Sequence, residues 1–322
     1  MKAYHWVLSA FFMLSISCNA GDDYGILIEA KTDTINQNKE EQGEYHILVI
    51  GNSISRDACS YVPSILLDLC PAVYLDFNIY YQGGIGLSSH WKSISQNITN
   101  HTLDHFDMST AQWKSIGDVL GKEVLSLQKW NLIILQQSTS GSKDYENTNN
   151  HINVIVDYIH EIQPDCEIAY LMVPSRPGGT SSIDSLSSDY SWENIVEVTR
   201  QLSENTNIQH IIPCGTAVQN ARHTYLDNLG QYGHLSYDGI HLQEGLPCFI
   251  EAYTVTEMLL HIFSINSSVV KSGLRIYNNW VYERNILGRH GTPILGCNED
   301  YVLCQHCALA AIACPYAITT PL

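Results

Sequence analysis

Short apolar runs alternate with helix-length amphipathic stretches along this chain. Tyr45-His46-Ile47-Leu48-Val49-Ile50 is a nearly unbroken, β-branched run, the pattern of a strand covered on both faces. Comparable runs occupy residues 73–81, 132–136, 167–173 and 208–213. Between them, residues 58–70, 116–128, 150–162, 192–205 and 244–263 have the length and spacing of helices. Strands that alternate with helices are joined by crossovers, which predicts a mostly parallel sheet with helices on both faces. Residues 90–113 read as a polar and aromatic hairpin or loop excursion, and residues 177–189, rich in Gly, Ser and Asp, as a second. Both are expected over the carboxyl edge of the sheet, where open α/β sheets bind ligands.

Composition narrows the function. The 322 residues carry 16 Lys and Arg against 33 Asp and Glu, a formal charge of −17, which argues against a nucleic-acid partner because such a surface gathers cations. With 45% hydrophobic and 15% charged residues the chain is globular, long enough for one large α/β domain or two small ones. The N-terminus adds a location. Lys2 precedes an apolar run from Trp6 to Ile16 that is too short for a permanent membrane span, so residues 1–17 read as an export signal. The run ends in Ser15-Ile16-Ser17-Cys18, which resembles a bacterial lipobox with Ser15 in place of the usual Leu. That resemblance implies a lipid on Cys18, with ordinary secretion as the alternative. Residues 18–43 form a polar tether, residues 44–265 the main domain, and residues 266–322 an extension packed on it. The expected protein is an exported bacterial lipoprotein, anchored to the outer membrane or facing the periplasm or cell surface, touching the membrane only through its lipid.

Ten cysteines minus Cys18 leave an odd number. Cys59, Cys70, Cys166, Cys214 and Cys248 stand in apolar contexts and read as small core residues. Cys297, Cys304, Cys307 and Cys314, with His306 among them, admit zinc, a disulfide or plain packing; the helical composition of residues 300–313 favours packing.

The chemistry begins where the first strand ends. Gly51-Asn52-Ser53-Ile54-Ser55 sets a serine at the strand's carboxyl end, where glycine permits a tight turn and a backbone N–H can face a developing oxyanion. Asn and Ser are also ordinary helix caps at such a turn. Far along the chain, Ser236-Tyr237-Asp238-Gly239-Ile240-His241 precedes the last long helix of the main domain. A serine nucleophile needs a histidine to take its proton, and that histidine works best with a carboxylate on its other nitrogen; the three-residue spacing lets Asp238 reach the His241 ring.

In this order the two segments resemble the first and last blocks of the SGNH (GDSL-like) hydrolases, with Asn52 where the family has Asp. The resemblance spans residues 44–265. It implies a three-layer α/β/α sandwich with a flavodoxin-like five-stranded sheet, Ser53 as nucleophile, His241 as base and Asp238 as its orienting carboxylate. In the second block, Tyr81-Gln82-Gly83-Gly84-Ile85-Gly86, Gly84 is the first choice to donate an N–H to the oxyanion beside that of Ser53, with Gly83 and Gly86 next. The third block departs from the family's Gly-x-Asn-Asp: here the strand runs into Leu135-Gln136-Gln137-Ser138. This looks like a Gln-Gln variant of a bacterial exported subgroup, related to branches containing carbohydrate acetylesterases, and Gln137 is expected to donate its amide, with Gln136 the alternative. Asn52 and His90 are candidates for substrate contact. Trp91, Trp113, Tyr145, Tyr190 and Trp192 offer faces for sugar stacking or for packing. The implied activity is a serine esterase that removes a small acyl group, first of all O-acetyl on a carbohydrate, with no metal or organic cofactor and a small-molecule or glycan ester as its partner. A non-catalytic glycan-binding lipoprotein and a lipase or thioesterase for longer chains are the alternatives.

Overall fold

Side chains along β1 (Glu44–Gly51) point alternately to two separate cores: Ile47 and Val49 enter one, Leu48 and Ile50 the other, all fully buried. β5 (Leu132–Gln136) and β6 (Glu167–Leu171) divide in the same way, Ile134 and Leu171 to the first core, Ile133 and Tyr170 to the second. A sheet that is apolar on both faces needs a helical layer on each, which gives the α/β/α sandwich implied by the SGNH resemblance. The computed structural model describes residues 43–176, 192–230, 234–265, 287 and 291–319. The export signal, Cys18, the tether up to residue 42, residues 177–189 and Tyr190 lie outside the described residues.

The sheet has seven strands in the order β4-β3-β2-β1-β5-β6-β7. β2 (Tyr74–Tyr81), β1, β5, β6 and β7 (His210–Ile212) are parallel and form the five-stranded arrangement expected. The expectation of five strands is corrected by an antiparallel hairpin, β3 (His101–Asp107) and β4 (Gln112–Val119), which extends the β2 edge. A helix over residues 116–128 is likewise corrected: the first part belongs to β4, and only α4 (Gly121–Leu125) is helical. β4 is the edge strand and buries little besides Trp113, so its sequence lacks the apolar alternation of a covered strand. α3 (Leu87–Gln96) also replaces part of the expected excursion; its inward face carries His90 and Ser93 beside Leu87 and Ile94, which hides the helical period.

On the first face lie α1 (Ser53–Cys59), α2 (Val62–Leu69), α7 (Cys214–Arg222) and α8 (Leu246–Ile262). On the second lie α3, α4 and α5 (Tyr145–Ile162), while α6 (Trp192–Leu202) sends side chains into both cores. α8 is buried nearly all round, as its even hydrophobicity requires. Part of that burial comes from α9 (Asn298–Ala313), which packs on α7 and α8 through Tyr301, Cys304, Cys307, Ala308 and Ala311. The described part of the C-terminal extension therefore belongs to the main core. Cys59, Cys166, Cys214, Cys248, Cys304 and Cys307 are buried free thiols, Cys70 is buried with them, and Cys297 is an exposed free thiol. Among the described residues no His, Cys, Asp and Glu cluster is arranged to hold a metal ion, and no helix is long and apolar enough to cross a membrane.

Candidate active site

The turn after β1 is built around two side-chain amides. Asn52 caps α1, its Oδ1 accepting the N–H of Ile54 at 3.0 Å, while its Nδ2 donates to the carbonyl of Ile85 at 2.7 Å. Asn52 is thus buried and ties the serine turn to the glycine loop after β2; the expected substrate contact is corrected to this bracing role. Gln136 Oε1 accepts the N–H of Asn52 and the hydroxyl of Ser55, each at 2.9 Å. Gly51 is needed because a Cβ there would lie 2.0 Å from Ser55 Oγ.

Ser53, at the first position of α1, meets a histidine that lies 188 positions later in the chain: His241 Nε2 is 2.8 Å from Ser53 Oγ. His241 Nδ1 is 2.7 Å from Asp238 Oδ2. The loop achieves this by folding on itself. Asp238 Oδ1 accepts the N–H groups of Ile240 at 2.9 Å and His241 at 2.7 Å, and Gly239 takes the left-handed conformation, φ +83°, that closes the turn. The hydroxyl of Ser236 and the N–H of Tyr237 both donate to the His241 carbonyl, and the N–H of Leu242 donates to buried Asp57 on α1 at 3.2 Å. Burial pushes the Asp238 carboxyl up, but the hydrogen bonds from the His241 ring and the loop N–H groups outweigh it and hold the group below its ordinary value. The side chains of His241 and Asp238 are 19% and 41% exposed, so the site opens at the surface, beside the half-exposed Tyr237 and Ile240.

The carboxyl ends of β1, β2 and β5 converge here. Gly84, in the loop after β2, adopts φ +74° with open space where a Cβ would stand, and among the described residues neither its N–H nor that of Ser53 has an acceptor. The third expected donor is corrected. Gln137 is buried, its Oε1 accepting the N–H groups of Leu87 and Ser138 at 3.0 and 2.9 Å while its Nε2 donates to Thr148 Oγ1 at 3.1 Å. Gln136, also buried, donates its Nε2 to the Gln137 carbonyl. Both amides are buried and turned inward, each NH2 donating one hydrogen to an internal acceptor, and Gly86 is small because its Cβ would lie 2.3 Å from Gln137 Oε1.

His90 is corrected as well: it is fully buried on α3, with Nδ1 3.0 Å from His101 Nε2. Burial drives both rings to low affinity for protons, His90 down to about 3 and His101 to about 4. Trp113 packs in the core against Phe77 and Phe106, and Trp91 against Tyr158, so these rings serve packing. Arg56, missed in the sequence, lies one turn after Ser53. Its Nε and Nη2 reach the buried Asp104 carboxylate at 2.8 and 3.0 Å, and its guanidinium stacks 3.3 Å from the centroid of the Tyr81 ring. A single basic side chain on a short, largely buried helix was the available signal.

Among curated protein sequences, none matches this chain. A crystal structure of a DUF4886 family protein from Bacteroides uniformis is similar, at 22% identity over 86% of this chain and 97% of that one, with a TM-score of 0.66; at this identity the likeness is one of fold. An acetylxylan esterase from Geobacillus stearothermophilus, solved as a catalytic mutant, is 11% identical over 71% of this chain and 98% of that one, with a TM-score of 0.44. Residues 46–273 match the family described as a domain of unknown function, DUF4886, and the chain belongs to that family.

Proposed function

We propose that this protein is an SGNH-type serine esterase that hydrolyses a small acyl ester, most of all an O-acetyl group on a carbohydrate. The observation that carries this reading is the continuous hydrogen-bonded line from Ser53 Oγ through His241 to Asp238, at 2.8 and 2.7 Å. Ser53 Oγ attacks the ester carbonyl as its proton passes to His241 Nε2. The oxyanion of the tetrahedral intermediate takes the N–H groups of Ser53 and Gly84. Collapse breaks the bond to the alcohol, which leaves with the proton from His241. Water then adds to the acyl-Ser53, giving its proton to His241, and the second collapse releases the carboxylic acid and restores the Ser53 hydroxyl. Asp238 keeps the Nδ1 proton in place throughout and balances the imidazolium charge.

The partly exposed triad suits an ester whose alcohol part is as large as a sugar, since a bulky leaving group needs an open approach. The reading extends to location: an exported enzyme tethered by a lipid on Cys18, supported by the apolar run and the lipobox-like residues before it. Incubation of the mature protein with a fluorophosphonate probe, followed by peptide mass spectrometry, tests the nucleophile. Labelling is expected at Ser53 and absent in Ser53→Ala, which should fold normally and lose ester turnover. A folded wild-type protein that takes no label and cleaves no acetyl ester refutes the reading.

A further inference from the structure

Asp57 stands one helical turn beyond Ser53 on α1, so the two side chains share a face of the helix. Its carboxyl is buried, and Oδ2 accepts the N–H of Leu242, the residue directly after His241, at 3.2 Å. The bonds within the loop, from Ile240 and His241 to Asp238 and from Ser236 and Tyr237 to the His241 carbonyl, give it a shape. They do not set its distance from the nucleophile. The Ser53–His241 bond cannot serve as that fixture, because the proton transfer at the heart of the reaction breaks and remakes it. The Leu242–Asp57 bond is untouched by the chemistry and joins the nucleophile's helix to the base's chain segment.

We infer that Asp57 is a positioning residue, which keeps His241 Nε2 within proton-transfer distance of Ser53 Oγ by anchoring the adjoining N–H of Leu242 to α1. This rests on the esterase reading above. What matters in this role is an acceptor oxygen, not a charge. Burial, reinforced by Glu251 on α8, raises the affinity of the Asp57 carboxyl for its proton, while the Leu242 N–H opposes this and Asp238 on the loop adds to it. The protonated acid still offers a carbonyl oxygen to Leu242, and asparagine reproduces that oxygen with nearly the same shape.

The test compares wild type, Asp57→Asn and Asp57→Leu in the full chain by three measurements: kcat and KM on p-nitrophenyl acetate, the rate of Ser53 labelling by the fluorophosphonate, and amide hydrogen exchange over residues 235–243. In Asp57→Leu, kcat and labelling rate should both fall by about 10²-fold, as expected for a displacement of about 1 Å between reacting groups, with KM changed by no more than about twofold. Exchange over residues 235–243 should accelerate. Asp57→Asn should stay within about threefold of wild type on both rates and keep the exchange protection. If Asp57→Leu does not fold, Asp57→Ser takes its place, since its hydroxyl is too short to reach Leu242. A folded Leu or Ser variant with wild-type rates and protection overturns the inference, and so does an Asn variant as impaired as Leu. If the wild type itself neither labels nor turns over, the esterase reading fails, and the exchange data alone decide whether Asp57 anchors the loop.

Discussion

Asp238 uses its two oxygens for different tasks. Oδ1 takes two backbone N–H groups and shapes the loop, and Oδ2 takes the ring nitrogen of His241. Asp238→Asn therefore separates shape from proton control. The Asn oxygen can still hold the loop, but its NH2 faces Nδ1 and forces the ring proton onto Nε2, where it blocks acceptance from Ser53. We expect kcat for acetyl-ester hydrolysis to fall by about 10³-fold or more with KM little changed, measured on the variant after its melting temperature is shown to match wild type. At this scale the sequence was legible where residue type and spacing dictate a role, as in Asp238-Gly239-Ile240-His241. It was opaque at Gln136 and Gln137, because composition says that an amide can donate but not which way it turns. Here the neighbouring N–H groups of Asn52, Leu87 and Ser138 claim the amide oxygens, and that fixes where each NH2 must point.

α1 is a short element held from two sides, by Arg56 on the edge hairpin and by Asp57 on the histidine loop. The hairpin supplies Asp104, which has no exposed surface and also accepts the hydroxyl of Ser115 at 2.6 Å. Arg56→Met leaves that carboxylate buried without its cation and should destabilise the fold by about 3–5 kcal/mol in urea denaturation, whereas adding Asp104→Leu should recover most of the loss. A single variant with unchanged stability would show that the ion pair does not hold the hairpin. The five parallel strands were readable because each is covered on both faces and writes an apolar run. The hairpin was legible only as one option for residues 90–113, without its strands, and α3 was not legible, because β4 faces water along most of its length and α3 places a histidine and a serine in the core. α5 begins at Tyr145, ahead of its apolar period, since Asp144 caps it by accepting the N–H of Asn147 at 3.0 Å.

Across the whole molecule, stability is tuned by groups buried on both faces of the sheet. Glu251 on α8 is fully buried, and among the described residues neither carboxyl oxygen has a hydrogen-bond partner. Burial pushes it up to about 8, with Arg222 pulling the other way. The folded state thus keeps a proton that the unfolded chain, with the ordinary value of 4.5, releases, and stability declines as pH rises through the window between them. His90 and His101 act oppositely. The unfolded chain takes up their protons below 6.5 while the folded one resists to about 3 and about 4, so stability also declines as pH falls through that range. Glu251→Gln should raise Tm at pH 8, by about 2–4 °C for each kcal/mol of relief, and change it little at pH 4.5, as followed by circular dichroism. Equal shifts at both pH values would show that the carboxyl does not carry the alkaline slope. The match to the family stops at residue 273, whereas α9 begins at Asn298. Tyr301 meets Phe249 edge-on at 5.0 Å, and Asn220 on α7 donates to the Cys307 carbonyl at 3.2 Å. A protein cut at residue 273 would lose an outer wall of its interior and bare an oily strip along α7 and α8, inviting self-association. The unit that folds is longer than the segment that matches the family, and the last helix is a piece of masonry, not a tail.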